Sequence, residues 1–184
     1  MSKVRRDEIL DYVTYGEQRD EIRKQAIAAK KARRVLVGDE LAFLFENRDT
    51  VRYQVLEMVR TEQLVKEAEI QHELDTYNEL LGADGELGCT LLIGIDDETK
   101  RATRLKELLT LPEHIHLEVE GGDKVRAKYD GRQVGEDRVS SVQFLKFDTE
   151  GRRPVAMVVD HPALDLRVEL SELQRTTLTA DLHE

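Results

Sequence analysis

Polar side chains that could bind a ligand are concentrated where a buried apolar segment gives way to a helical one. Glu46, Asn47 and Arg48 lie at this junction, directly before a residue that can cap a helix, Asp49 or Thr50. Free N–H groups at a helix start attract anions, so the junction predicts either a helix cap or an anion site. The candidate functional cluster adds charged residues on both sides of the junction and one distant histidine; its members are Arg34, Glu46, Asn47, Arg48, Glu57, Arg60, Glu62 and His161.

A metal site is the second chemistry that the sequence permits. Glu69 and His72 have the Glu-x-x-His spacing of helical di-iron carboxylate proteins, and Glu62 lies two turns earlier on nearly the same side. Carboxylates and imidazoles suit iron, manganese or zinc. Di-iron bundles use the motif on two helices and no second copy occurs in this sequence, so these residues are weak candidates and an ionic helix surface is the preferred interpretation. No cofactor is evident, and a divalent metal stays open.

The remaining histidines and the cysteine favour structural roles. His114 and His116 would share one face of a strand but lack an evident third ligand. Asp160 precedes His161 at a strand end, where general bases are often held, yet adjacent residues of an extended chain point to opposite faces. Cys89 lies in an apolar segment without an adjacent base, which predicts an inert buried thiol. The sequence contains no phosphate loop, dinucleotide-binding or nucleophile-elbow motif.

Helical and extended patterns alternate along the chain and would position these residues. They predict a helix from Asp7 to Arg34, with Gly16 as a break or bend, and then a β-hairpin that turns at Gly38. A second long helix, free of Gly and Pro, could run from position 49 or 50 to Gly82, and whether it is continuous stays open. Beyond it the sequence predicts strands at 89–93, 114–120, 124–129, 141–147 and 155–159, with helices at 100–109 and 172–182.

Together these elements predict an α+β fold. We expect an N-terminal pair of long helices joined by a β-hairpin, packed with a mainly antiparallel β-sheet that carries one or two short helices. The Gly82–Gly85 segment would separate a helical arm with the hairpin (1–82) from an α+β sheet region (86–184). The alternative is one continuous domain.

The two long helices carry opposite charges on the sides that would face each other. The apolar side of the second helix is interrupted in its middle by charged residues, and basic residues share a narrow arc of the first. The first set is Glu62, Lys66, Glu69 and Glu73, and the second includes Arg19, Arg23 and Lys30. Side-by-side packing would therefore form ion pairs between the helices.

Composition restricts the functional classes. The 184 residues carry a net charge of −10, which disfavours nucleic acid as a partner because Lys and Arg bind its phosphates. A single cysteine cannot form an intramolecular disulfide. With a charged N-terminus and no long apolar segment, the chain is predicted to be cytoplasmic and to have no membrane partner. Oligomeric state stays open, homo-oligomers included.

The order of many of these residues resembles that of a known family. The similar positions are Arg33-Arg34-Val35, Val37-Gly38, Phe45-Glu46-Asn47-Arg48 with Thr50, Glu57-Met58, Arg60, Glu62, Asp160-His161-Pro162 and Asp181-Leu182. Over almost the whole chain they resemble the uncharacterised bacterial family called domain of unknown function 3501. Its members are often encoded beside rubrerythrin-like di-iron proteins and cysteine-rich iron–sulfur reductase-like proteins. The resemblance therefore implies a setting in redox or peroxide defence, with such proteins as partners.

Two functions follow from these observations. The first is an accessory or adaptor protein that docks onto a redox partner through its long helical arm. The mixed-charge helices and the missing catalytic motifs support it. The second is a metal- or anion-dependent enzyme that uses the carboxylate and arginine cluster at the start of the long helix. The sequence leaves open whether the protein is an enzyme.

Overall fold

Five α-helices and nine strands form the fold of residues 1–183, the part of the chain that the computed structural model describes. The helices are α1 (Tyr12–Lys31), α2 (Arg48–Thr61), α3 (Glu67–Asn78), α4 (Glu98–Glu107) and α5 (Glu172–Asp181). The strands are β1 (Arg34–Val37), β2 (Leu41–Phe45), β3 (Glu86–Ile93), β4 (Ile115–Val119), β5 (Lys124–Arg126), β6 (Lys128–Tyr129), β7 (Val142–Asp148), β8 (Pro154–His161) and β9 (Leu164–Glu169). The predicted α+β class is confirmed. Within the same residues, no helix combines the length and apolar character that a membrane span requires.

A five-stranded antiparallel sheet has the strand order β1-β2-β3-β7-β6. Its first two strands are the predicted hairpin, in which Gly38 adopts a φ of +63° that favours glycine in a tight turn. β2 then pairs with β3, with Phe45 opposite Cys89. The hairpin therefore shares one sheet with strands from the second half of the chain.

A four-stranded antiparallel sheet, ordered β5-β4-β8-β9, packs against the first sheet. Alternate residues of both sheets meet in a shared apolar core, which includes Phe43 and Leu91 from one sheet and Leu117 and Met157 from the other. Helix α5 adds Leu178 to the same core. We call the side of each sheet that faces this core its inner face, and the opposite side its outer face.

Helices α1, α2 and α3 form a second core beside the outer face of the five-stranded sheet. Tyr15, Val55 and Leu74 are among its buried residues. The chain that leaves α3 approaches the sheet closely: a Cβ built at Gly88 of β3 would lie 1.7 Å from the Leu80 carbonyl oxygen. Glycine at this position therefore allows the helical layer to reach the backbone of β3.

The second long helical segment is not continuous but forms two helices, α2 and α3. Glu62 forms the C-cap of α2, and Gln63 has a φ of +51° in the turn that leads to α3. After this turn, Ile70 of α3 is buried in the helical core. The predicted pairing with the first helix is present between α1 and α2. The three helices form a packed layer, not a protruding arm, and Gly16 lies within α1 without interrupting it.

The expected ionic contact between the long helices forms at a different place. Arg19 of α1 binds Glu57 of α2. The four charged residues expected to face α1 make no ion pair with it among residues 1–183, and within that set Lys66 binds Glu69. Because the chain changes direction after α2, the charged residues of α3 no longer follow α1.

Candidate functional site

Glu46 lies where β2 meets α2, on the outer face of the five-stranded sheet. Its side chain is buried, and its two carboxylate oxygens accept hydrogen bonds from Thr90 Oγ1 at 2.7 Å and Thr50 Oγ1 at 2.5 Å. Asn47 is the N-cap of α2: its Oδ1 accepts the Thr50 N–H at 3.0 Å, and Thr50 Oγ1 accepts the Asn47 N–H at 3.0 Å. The junction is thus a reciprocal helix cap with a buried carboxylate behind it.

A second carboxylate, that of Glu57, joins α2 to α1. The Tyr15 hydroxyl donates to it, and Arg19 donates two parallel hydrogen bonds, from Nε at 2.8 Å and from Nη2 at 2.9 Å. Hydrogen bonding to Arg19 lowers the pKa of Glu57 against the effect of burial, and Tyr15 and the nearby charge of Arg60 add to the lowering. Burial, followed by the bond to Glu57, raises the pKa of Tyr15, so the phenol keeps its proton.

Lys30, in the last turn of α1, lies within electrostatic reach of both carboxylates. Its ammonium is 5.0 Å from the centre of the Tyr53 ring, a cation–π contact. Partial burial lowers the pKa of Lys30 and Arg34 adds to the lowering, whereas Glu46 and Glu57 act in the opposite direction. Within residues 1–183, the side chains of Lys30 and Arg34 have neither an ion pair nor a hydrogen bond.

Other members of the predicted cluster lie away from Glu46. Arg48 donates from Nη2 to Glu8 Oε2 at 2.5 Å, so it fastens the N-terminal segment to α2. Its buried Nε has no partner among residues 1–183. Glu62 is exposed at the opposite end of α2. The structure therefore divides the cluster into a cap at Glu46, an ion pair at Glu57 and separate surface positions.

His161 belongs to the other sheet. It is buried at the end of β8, and its Nδ1 accepts the Ala163 N–H at 3.1 Å. The neutral ring then carries its proton on Nε2 and donates to Thr110 Oγ1, 3.1 Å away. Burial lowers the pKa of His161, with His114 and Arg104 adding to the effect. A ring nitrogen that donates to a hydroxyl cannot also act as its base, so this geometry is typical of a structural histidine.

The weak metal candidates do not converge. Glu62 ends α2, whereas Glu69 and His72 lie on α3, beyond the turn that separates the two helices. His114 and His116 do face a common carboxylate, with Nδ1 atoms 3.2 and 3.6 Å from the two oxygens of Asp160. Among residues 1–183, however, no three His, Cys, Asp or Glu side chains are grouped so that they could hold a metal ion. Metal binding stays a prediction.

The outer face of the five-stranded sheet is only partly covered by the helices, and its uncovered part is apolar. Leu36, Ala42, Leu92 and Val142 lie opposite one another on β1, β2, β3 and β7, and Phe144 follows on the same face of β7. The exposed fractions are 62% for Leu36, 39% for Leu92, 37% for Val142 and 44% for Phe144. We call these five residues the open strip.

The sequence predicts a hairpin and strands that contain the residues of the open strip, but it does not reveal the strip itself. A signal was present: Leu91 and Leu92 are consecutive, as are Phe144 and Leu145, so one residue of each pair must point to the outer face. Whether a helix covers that position depends on how far the helical layer reaches across the sheet. That distance is a tertiary property, which local periodicity does not encode.

A groove of about 810 Å³ adjoins the open strip near the end of α3. Tyr77 and Leu80 line one side, and Phe144, Lys128 and Lys146 line the sheet side. Both lysines already pair with carboxylates of the same sheet. The groove therefore extends the apolar surface between ion pairs that are formed within the protein.

Comparison with known proteins agrees with the resemblance seen in the sequence. The family model described as "Protein of unknown function (DUF3501)" matches residues 3–182, and the chain belongs to this family. It is similar to a crystal structure of a novel protein of unknown function from Burkholderia pseudomallei K96243, with a TM-score of 0.90 and 29% identity over 98% of this chain and 100% of that chain. No curated protein matches the sequence. Neither the family nor the crystal structure carries an assigned activity.

Proposed function

We propose that this protein is a cytoplasmic accessory protein that binds a redox protein through the open strip. The partner we propose is a rubrerythrin-like or an iron–sulfur reductase-like protein, because the family resemblance implies that setting. The docking surface is then the uncovered face of the five-stranded sheet and not the helical arm expected from the sequence.

The exposure of the open strip carries this proposal. Large contiguous apolar patches are uncommon on monomeric proteins and often mark sites of interaction. The row from Leu36 to Val142 crosses four neighbouring strands, which at about 4.8 Å between strands makes it roughly 14 Å wide. That width accommodates a helix or a strand of a partner protein.

The groove beside the open strip gives this surface a concave part. Strong interfaces are usually anchored by a few large side chains that enter pockets near their centre. The space between Leu80 and Phe144 offers such a pocket at the edge of the strip. A partner that covers the strip would thus also find a place for one anchoring residue.

The chemistry of the junction favours an accessory role over catalysis. A general base needs a lone pair directed at its substrate. Both oxygens of Glu46 accept threonine hydroxyls, and the oxygens of Glu57 accept Tyr15 and Arg19. These carboxylates serve as internal acceptors that hold the helices on the sheet.

Binding between purified proteins tests the proposal. The native chain is titrated with the rubrerythrin-like protein and, separately, with the iron–sulfur reductase-like protein of the same bacterium, by calorimetry or biolayer interferometry. We expect one of them to bind, and we expect Phe144→Asp to weaken the complex roughly a hundredfold, because it places a charge against an apolar partner.

A matched variant separates the strip from general effects of charge. Val65 is 73% exposed and lies in the turn beyond the far end of α2. We expect Val65→Asp to leave the affinity unchanged. If neither redox protein forms a complex with the native chain, the proposed partner is wrong. If Phe144→Asp and Val65→Asp weaken the complex equally, the proposed surface is wrong.

A further inference from the structure

Two cationic side chains stand at one edge of the open strip. Arg34 precedes Leu36 by two residues in β1, so both side chains point to the outer face of the sheet. Lys30 precedes Arg34 in the sequence and lies in the last turn of α1, with its ammonium over the ring of Tyr53. The charge of Arg34 contributes to lowering the pKa of Lys30, so the two cations lie within electrostatic reach of each other.

These two cations differ from most of the arginines on the described surface. Arg33 binds Asp181, Arg104 binds Glu40, and many other guanidinium groups pair in the same way. Lys30 and Arg34 have no such partner within residues 1–183, although the chain carries 38 acidic residues against 28 basic ones. Lys30 and Arg34 are therefore among the cations that no carboxylate of the described residues compensates, and they lie beside the open strip.

The nearest carboxylates are already occupied. Both carboxylate oxygens of Glu46 accept hydrogen bonds from threonine hydroxyls, and the carboxylate of Glu57 accepts hydrogen bonds from the guanidinium group of Arg19. A partly buried ammonium without a counter-ion loses part of its hydration. The carbonyl groups at the C-terminus of α1 and the face of the Tyr53 ring partly stabilise the ammonium of Lys30. An external anion would stabilise it further.

We infer that the protein segment that occupies the open strip carries an acidic side chain, and that its carboxylate binds Lys30 and Arg34. This inference rests on the proposed function and names the chemistry of the partner. Apolar residues of the segment would cover Leu36, Leu92 and Phe144, while the carboxylate meets the guanidinium fork and the ammonium at the edge. Unpaired cations suit this role better than Lys128 and Lys146, whose carboxylate partners would first have to be displaced.

Charge reversal tests the inference. Lys30→Glu and Arg34→Glu are each titrated against whichever of the two purified redox proteins binds the native chain. We expect each variant to weaken binding roughly tenfold or more, and the difference from the native chain to shrink as salt is raised. Lys24→Glu is the control, because it makes the same change of charge at an exposed position of α1.

The outcomes separate this inference from the proposal on which it rests. If Phe144→Asp weakens binding while Lys30→Glu and Arg34→Glu behave like Lys24→Glu, the acidic anchor is wrong and the docking surface stands. If Phe144→Asp also has no effect, both are wrong. Lys30→Met removes the charge without placing a carboxylate beside Glu46, so it replaces Lys30→Glu if that variant does not fold. An unchanged affinity for Lys30→Met would overturn the role of Lys30.

Discussion

The outer faces of the two sheets are covered in different ways. On the four-stranded sheet, Arg167 of β9 binds Glu118 of β4 through Nε at 2.9 Å and Nη2 at 2.8 Å. Because β8 lies between these strands, the ion pair passes over Ala156 and Val158, which are 0% and 4% exposed. On the five-stranded sheet, the open strip has no such cover, and Leu36 is 62% exposed.

On the four-stranded sheet, long charged side chains thus contribute to the cover of the outer face. Arg and Lys side chains cover apolar surface with their methylene groups while their charged ends stay in water. Arg34 and Lys146 stand next to the open strip but leave its apolar side chains exposed. The outer face of the four-stranded sheet is thus closed within the chain, whereas the open strip is left exposed, as the proposed docking of a partner requires.

The largest expected effect concerns the part of the five-stranded sheet that is covered. Gly88→Ala would place a Cβ 1.7 Å from the Leu80 carbonyl oxygen, so the helical layer would have to move off the sheet. We expect a loss of about 3 kcal/mol or more in the free energy of unfolding, measured with urea.

Gly94→Ala is the control for this change, because a Cβ at Gly94 meets no atom within 4 Å. We expect it to shift stability by less than about 1 kcal/mol. Equal effects of the two substitutions would show that close contact at Gly88 does not fix the helical layer. The boundary between the covered and open parts of the sheet would then need another explanation.

A matched pair of valines compares the two outer faces directly. Val158 is 4% exposed on the four-stranded sheet, and Val142 is 37% exposed in the open strip. We expect Val158→Ala to cost about 2 kcal/mol of stability, because it removes two buried methyl groups and leaves a cavity. We expect Val142→Ala to cost less than about 0.5 kcal/mol. Chemical unfolding of both variants checks the difference, and similar losses would mean that Val142 is covered within the chain.

The smallest expected effect is a pH dependence that belongs to the closed face. His116 lies opposite Val158, and burial lowers its pKa, with Lys124 and Arg126 adding to the lowering and Asp160 opposing it. The unfolded chain takes up this proton near pH 6.5 and the folded chain only at lower pH. The contribution of His116 to stability is therefore complete above about pH 6.5 and decreases as the pH falls toward the lowered pKa.

Unfolding at about pH 7.5 and about pH 5.5 measures this dependence. We expect His116→Gln to lose less stability between the two values than the native chain does. His72→Gln changes an exposed histidine on α3 and should keep the native dependence. A native dependence in His116→Gln would show that other groups cause it.

Much of the fold could be predicted because local signals mark its elements. Gly38 marks the hairpin turn, and Ser171, a residue type favoured at helix N-caps, caps α5. The break between α2 and α3 has no such signal, since neither Gly nor Pro occurs between Glu62 and Lys66. It forms because Ile70 and its neighbours gain burial in the helical core, which is a tertiary effect.

The site was harder to predict than the fold. A helix cap could be predicted at this junction, although the sequence favoured Asp49 or Thr50 and the N-cap in the structure is Asn47. The partners of Glu46 and Glu57 come from distant parts of the chain, Thr90 and Arg19, and no local spacing connects them. The open strip is defined by what the helices leave uncovered, so it appears only when all the layers are in place.

Methyl NMR of the complex tests the central claim most directly. The chain is labelled at its Leu and Val methyl groups, and spectra are recorded with and without the redox protein that binds it. We predict that the signals of Leu36, Leu92 and Val142 change, while those of Val13 and Val65, which are 57% and 73% exposed, do not. A complex that changes the signals of Val13 or Val65 and leaves those of the open strip in place would contradict the claim.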